Sequence, residues 1–159
     1  MNKEKIKQAQ NIAKCLYEGK EVKKRSCGVA LAETFCLPTR PYSCLRKGGV
    51  TGENECGAIL GGRLVLGEIL GDPDPLAPIT SKLFDGMHLY KSLCQKYLKT
   101  GAATSHTCYD LTRQYKDYDS PERKGFCGDS VEVIAGCVAE VLEKLEVAYH
   151  VLELDIKKI

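Results

Sequence analysis

The sequence predicts an all-α, single-domain helix bundle of about five to six helices built round a buried, glycine-rich central helix. Three observations lead there. Apolar residues recur at three- and four-residue spacing through most of the chain, the period of an amphipathic helix. Capping residues and Gly or Pro breakers punctuate the chain at helix-length intervals. The segment 56–70 is apolar nearly all round, as a helix packed on several sides must be. A length of 159 residues suits one domain, 1–159, with a core of its own.

The elements follow in order. Residues 3–18 place Ile6, Ala9, Ile12, Ala13, Leu16 and Tyr17 on one face with lysines opposite, giving a basic amphipathic helix within 1–25 that ends near Gly19. Ser26 is an N-cap for a second helix over 27–35, and Pro38 and Pro41 open a loop. The third helix, 56–70, carries Gly57, Gly61, Gly62 and Gly67. Each glycine costs about 1 kcal/mol against alanine in a helix, so close approach of another backbone is the reason to expect them. Asp72-Pro73-Asp74-Pro75 is a break, and a fourth helix is expected over 76–99 with Ile79, Leu83, Met87, Tyr90, Cys94 and Tyr97 on one face and Gly101 as its cap. Thr104 to Thr107 precede a short helix, 108–113, and polar residues 114–125 read as loop. Asp129 with Glu132 resembles a capping box for the last helix. In the tail, 150–159, Leu152, Leu154 and Ile156 alternate with charged residues; the segment reads as a frayed or continued helix, or as a strand that pairs with another chain.

Charge is uneven. Residues 1–47 carry eleven Lys/Arg against four Asp/Glu, and the remainder twelve against seventeen. A solvated lysine face accounts for this, as does a docking face for an acidic partner or a second subunit. Nucleic acid is not expected, because the basic residues are not interleaved with aromatics. No stretch nears the roughly 20 apolar residues of a membrane span. The first residues lack the apolar run of a secretory leader, so the expected location is cytoplasmic.

Nine cysteines are the main chemical feature. In a reducing compartment they point to metal or catalytic thiols rather than a disulfide framework. Cys27, Cys56, Cys108 and Cys127 each fall at or beside an expected helix start, where unpaired N–H groups favour thiolate. Cys15, Cys94 and Cys137 lie within helices and Cys36 at a helix end, so burial is expected for these. Cys44 stands beside Arg46 and Lys47, which could activate it. No zinc-ribbon or Cys-x-x-Cys spacing occurs, so any shared site is assembled by the fold.

The run Gly49-Val-Thr-Gly-Glu-Asn-Glu-Cys56-Gly-Ala-Ile-Leu-Gly61-Gly62, with Val65-Leu66-Gly67 after it, resembles the family of redox-active proteins named for its cysteine pattern, C_GCAxxG_C_C. Ser26 to Glu33 resembles the helix of its first cysteine, Cys108-Tyr-Asp-Leu111 that of its third, and Cys127 its fourth; the likeness covers most of 26–145. Related cysteine-bearing regions occur in split-Soret cytochromes, which carry an iron–sulfur centre. The resemblance therefore implies an iron–sulfur cluster on Cys27, Cys56, Cys108 and Cys127, electron transfer, and a redox partner protein. Haem attachment motifs are absent, and five further cysteines depart from the pattern.

The alternatives to an iron–sulfur protein are a metal-free thiol–disulfide protein and a zinc-stabilised structural or binding module. A homodimer is compatible with each. His106, two residues before Cys108, is either a loop residue or an acid–base or ligand partner to it. Gly48 to Gly52 lack the P-loop pattern, which argues against nucleotide binding.

Overall fold

Asn2 opens the first helix by accepting a hydrogen bond from the Lys5 N–H at 3.0 Å, and Gly19, at φ 68°, closes it in the left-handed region. This helix, α1 (Lys3–Glu18), begins a computed structural model that describes residues 1–154. There follow α2 (Cys27–Thr34), a 3-10 helix (Arg40–Leu45), α3 (Gly57–Leu70), α4 (Ser81–Tyr97), α5 (Cys108–Thr112) and α6 (Pro121–Lys144). No strand occurs among the described residues; a single antiparallel bridge joins Glu55 to Thr107. The fold is the all-α bundle expected.

The long α6 is the hub, in contact with α1, α2, α3 and α4. Its Val131, Ile134, Val138, Val141 and Leu142 are fully enclosed with Leu16 of α1, Leu31 of α2 and Val65 and Leu66 of α3. Each such side chain stabilises the fold by about 1.5–3 kcal/mol on leaving water. The lysine face of α1 lies partly along α6: Lys14 reaches Asp129 at 2.7 Å and Glu132 at 2.8 Å, and Lys7 reaches Glu132 at 3.2 Å. Part of the charge asymmetry is thus met within the chain.

Gly57, Gly61 and Gly62 of α3 are placed by close approach, whereas a Cβ at Gly67 would meet open space, against the expectation for that position. A Cβ at Gly61 would lie 3.1 Å from the Gly28 Cα, so α2 and α3 meet nearly backbone to backbone. A Cβ at Gly62 would overlap the Tyr90 hydroxyl and come within 2.8 Å of Ile134 Cγ2. Arg63, Leu64 and Glu68 face solvent, so α3 is enclosed on its α2, α4 and α6 sides rather than all round.

Several expectations shift. The last helix begins at Pro121, not after Asp129: Ser120 accepts from the Arg123 N–H at 3.2 Å, and Pro121 occupies the first turn, where its missing N–H costs nothing. Gly125 is carried inside the helix. Helix α4 starts at Ser81 with Thr80 as cap and ends at Tyr97, with Leu98 as its C-cap, leaving Ile79 exposed and Gly101 in a separate turn at φ 59°. Asp72 and Asp74 serve the expected turn, accepting from the N–H groups of Asp74 and Leu76. The tail leaves helical geometry at Leu145, and the Leu152 N–H donates to the Thr34 carbonyl at 2.9 Å. Ile156 and the rest of 155–159 lie outside the described residues.

Candidate functional site: a four-cysteine chamber

The first turn of α3 and the start of α5 are joined by their backbones. The Cys56 N–H donates to the His106 carbonyl at 2.8 Å, the Cys108 N–H to Asn54 at 2.9 Å, and the Tyr109 N–H to Gly52 at 2.8 Å. Asp110 anchors the approach to α5, accepting from the N–H groups of Thr104 at 2.9 Å and Ser105 at 2.6 Å. Cys27 opens α2 beside α3, where a Cβ at Gly57 would lie 2.7 Å from its Sγ. Cys127 comes from α6.

These four cysteines, remote in sequence, line one enclosed cavity of about 40 Å³. Each is partly exposed. The separation of the other five is equally clear. Cys94 and Cys137 are buried, as expected; Cys15 is only half-buried, with its thiol directed at Glu21, and Cys36 is exposed at φ 58°. Cys36 follows the end of α2 and turns outward there rather than packing. Cys44 is exposed in the 3-10 helix, its thiol 3.3 Å from the Pro41 carbonyl. His106 is exposed and contributes its backbone carbonyl to the position of Cys56.

At Cys27, Cys56 and Cys108 the helix start does not make the thiol acidic. Burial pushes Cys27 up to about 11, against the pull of the Gly28 N–H. Burial likewise pushes Cys56 well above the free thiol, against N–H groups of Ile59 and Ala58. Cys108 is raised by burial and then by the charge of Cys127. Desolvation thus outweighs the helix-start amides, the reverse of the sequence expectation. Cys127 also departs from that expectation by position, lying in the second turn of α6 because the helix begins earlier.

The chamber has a cation that was not anticipated. Arg123, only 4% exposed, donates to the Tyr17 hydroxyl at 3.0 Å and to the Tyr118 carbonyl, and its guanidinium lies 4.0 Å from the centre of the Tyr118 ring. It lines the same cavity as the Cys127 thiol, one helical turn before it on α6. Lys47 lines the same cavity, its ammonium 4.9 Å from the Tyr118 ring. Ser120-Pro121 was the available signal: starting the helix there puts Arg123 one turn before Cys127 on the same face.

Among the described residues, no three His, Cys, Asp or Glu side chains are gathered so as to hold a metal ion. Comparison with protein-family models, curated proteins and solved structures finds no match to this chain. No helix among the described residues is long and apolar enough to cross a membrane.

Proposed function

We propose that the four-cysteine chamber is the site of an iron–sulfur cluster and that the protein transfers electrons to a redox partner protein. The observation that carries this reading is the convergence of Cys27, Cys56, Cys108 and Cys127 on one cavity beside the buried Arg123. Four cysteine sulfurs are the donor set of such a cluster. A single tetrahedral zinc would need all four sulfurs about 2.3 Å from one point.

Bound there, the cluster would supply one-electron chemistry. The chain's own residues would do the rest. Cys27, Cys56, Cys108 and Cys127 would give up their thiol protons and serve as ligands. Arg123 and Lys47 offset the negative charge that four thiolates gather. The N–H groups of Gly28, Ala58 and Ile59 favour the anionic form of the Cys27 and Cys56 sulfurs, and N–H donors to sulfur raise a cluster's potential. Leu111 and Phe126 limit water at the cavity wall.

For the metal-free dithiol alternative, burial works against three of the four thiols: Cys27, Cys56 and Cys108 are pushed up, which leaves them scarce as thiolate near neutral pH and slow to attack disulfides. Nine free cysteines suit a reducing location such as the cytoplasm, and the exposed part of the α1 lysine face suits an acidic partner or a second subunit. Protein purified without oxygen, after expression with iron supplied, should contain iron and acid-labile sulfide. Stoichiometric zinc without iron would sink the proposal.

A further inference from the structure

A second cavity, of about 450 Å³, opens between α3, α4 and the loop before α5. It shares no lining residue with the four-cysteine chamber, yet the two are neighbours: His106 lines the cavity, and its carbonyl accepts the Cys56 N–H at 2.8 Å. The volume falls within the roughly 300–1,000 Å³ of small-molecule sites and far exceeds what one bare ion fills. The inner wall is apolar: Ile59, Tyr90 and Cys94, 3%, 2% and 6% exposed, form it. The Tyr90 hydroxyl donates its proton to the Ile59 carbonyl at 2.9 Å, so what Tyr90 offers an occupant is chiefly its ring. Met87, half-buried, adds a thioether, a group that packs well on aromatic rings. Such a wall suits a flat, apolar body.

The rim has the opposite character. Arg63, His88, Lys91, Gln95 and His106 are exposed, and no Asp or Glu lines the cavity. Arg63 is neutralised by Glu55 through two bonds of 2.6 and 2.9 Å. Lys91 makes no ion pair among the described residues. Its neighbours three and four residues away on α4 are Met87, His88, Cys94 and Gln95, all of them lining the cavity and none a carboxylate. One uncompensated positive charge therefore stands beside the apolar wall. The His88 ring is packed on Phe84, centroids 4.6 Å apart, and with Gln95 and His106 supplies hydrogen-bonding groups round that charge.

We propose that this pocket binds a small planar aromatic monocarboxylate, its rings against Ile59, Met87, Tyr90 and Cys94 and its carboxylate at Lys91. Each part of the ligand answers one feature of the site. An inorganic anion would leave the apolar wall in water, and a neutral aromatic would leave Lys91 without a counter-charge. A cation would be repelled, and a second carboxylate would find Arg63 already taken by Glu55. Discrimination thus comes from what the site refuses as well as from what it holds. The site goes beyond the cluster reading and does not depend on it, since binding needs neither iron nor an ionised thiol.

The test uses the full chain and three probes that share one ring system: 2-naphthoate, the neutral 2-naphthamide and the cationic 2-naphthylmethylammonium. Calorimetry reads affinity, and the methyl signals of ¹³C-labelled methionine read position. The chain has two methionines, so Met87 reports from the cavity wall while Met1, exposed at the chain start, serves as the control. Naphthoate should shift the Met87 signal saturably and leave Met1 in place. It should bind about tenfold tighter than the amide, as one charge-assisted hydrogen bond gives, and the cation should bind weakest. Lys91 is exposed, so Lys91→Gln should fold normally, and it should bring naphthoate and naphthamide to equal affinity with Met87 still responding. Equal affinity of the two in the wild-type chain, or a preference that survives Lys91→Gln, would overturn the proposal. So would a Met87 signal that does not move, or one that moves only together with Met1.

Discussion

Cys56 and Cys137 are both half to fully enclosed thiols, yet only Cys56 faces the chamber. The two should therefore respond differently to the same oxygen-for-sulfur change. If the proposed cluster is present, Cys56→Ser should abolish its visible absorbance, whereas Cys137→Ser should keep metal content and lose stability, since a buried hydroxyl without a partner is penalised by about 1–3 kcal/mol. Metal analysis beside thermal melts checks this, and equal metal loss in both would break the sorting of cysteines. Arg123 gives a second contrast. Its guanidinium is the enclosed positive charge nearest Cys127, and removing a cation disfavours the more negative, reduced state. Arg123→Gln should therefore lower the reduction potential of the loaded protein, as potentiometric titration would read. An unchanged or higher potential would mean that Arg123 only braces Tyr17 and Tyr118.

At the scale of elements, most of the helices were legible because their signals are local. The 3–4 spacing of Ala9, Ala13 and Leu16 and the glycine stop at Gly19 depend on nothing beyond α1. The start of α6 was missed because Pro121 and Gly125 look like breakers, although proline is at home in a first helical turn. That error hid the Arg123–Cys127 relation. The close-approach reading of the α3 glycines holds at Gly61 and Gly62, whose neighbours are Gly28, Tyr90 and Ile134, and fails at Gly67, which has open space beside it. Propensity alone would make Gly62→Ala a gain of about 1 kcal/mol. A methyl group there meets the Tyr90 hydroxyl, whose bond to the Ile59 carbonyl is 2.9 Å long, so overpacking of about 1–3 kcal/mol should win. Gly62→Leu should be worse still and should reduce metal uptake by displacing the helix that begins beside Cys56. A leucine variant that melts higher and loads normally would contradict the packing of α3 against α4 and α6.

At the scale of the whole molecule, the chamber is a product of tertiary structure. No spacing along the chain could bring Cys27, Cys56, Cys108 and Cys127 together; the docking of α2 on α3, the Glu55–Thr107 bridge and the course of α6 do so. The sequence singled out the four residues that line the chamber, but its reason, acidity at helix starts, does not survive the burial of Cys27, Cys56 and Cys108. Burial is a property of the assembled bundle and has no local signature. The central claim concerns what the four sulfurs hold, and X-ray absorption at the iron edge addresses it most directly. Iron in anaerobically purified protein should show a first shell of sulfur alone with a second shell of iron, and Cys27→Ser should alter that first shell. Iron bound by nitrogen and oxygen, or a sulfur-ligated zinc edge in its place, would contradict the account.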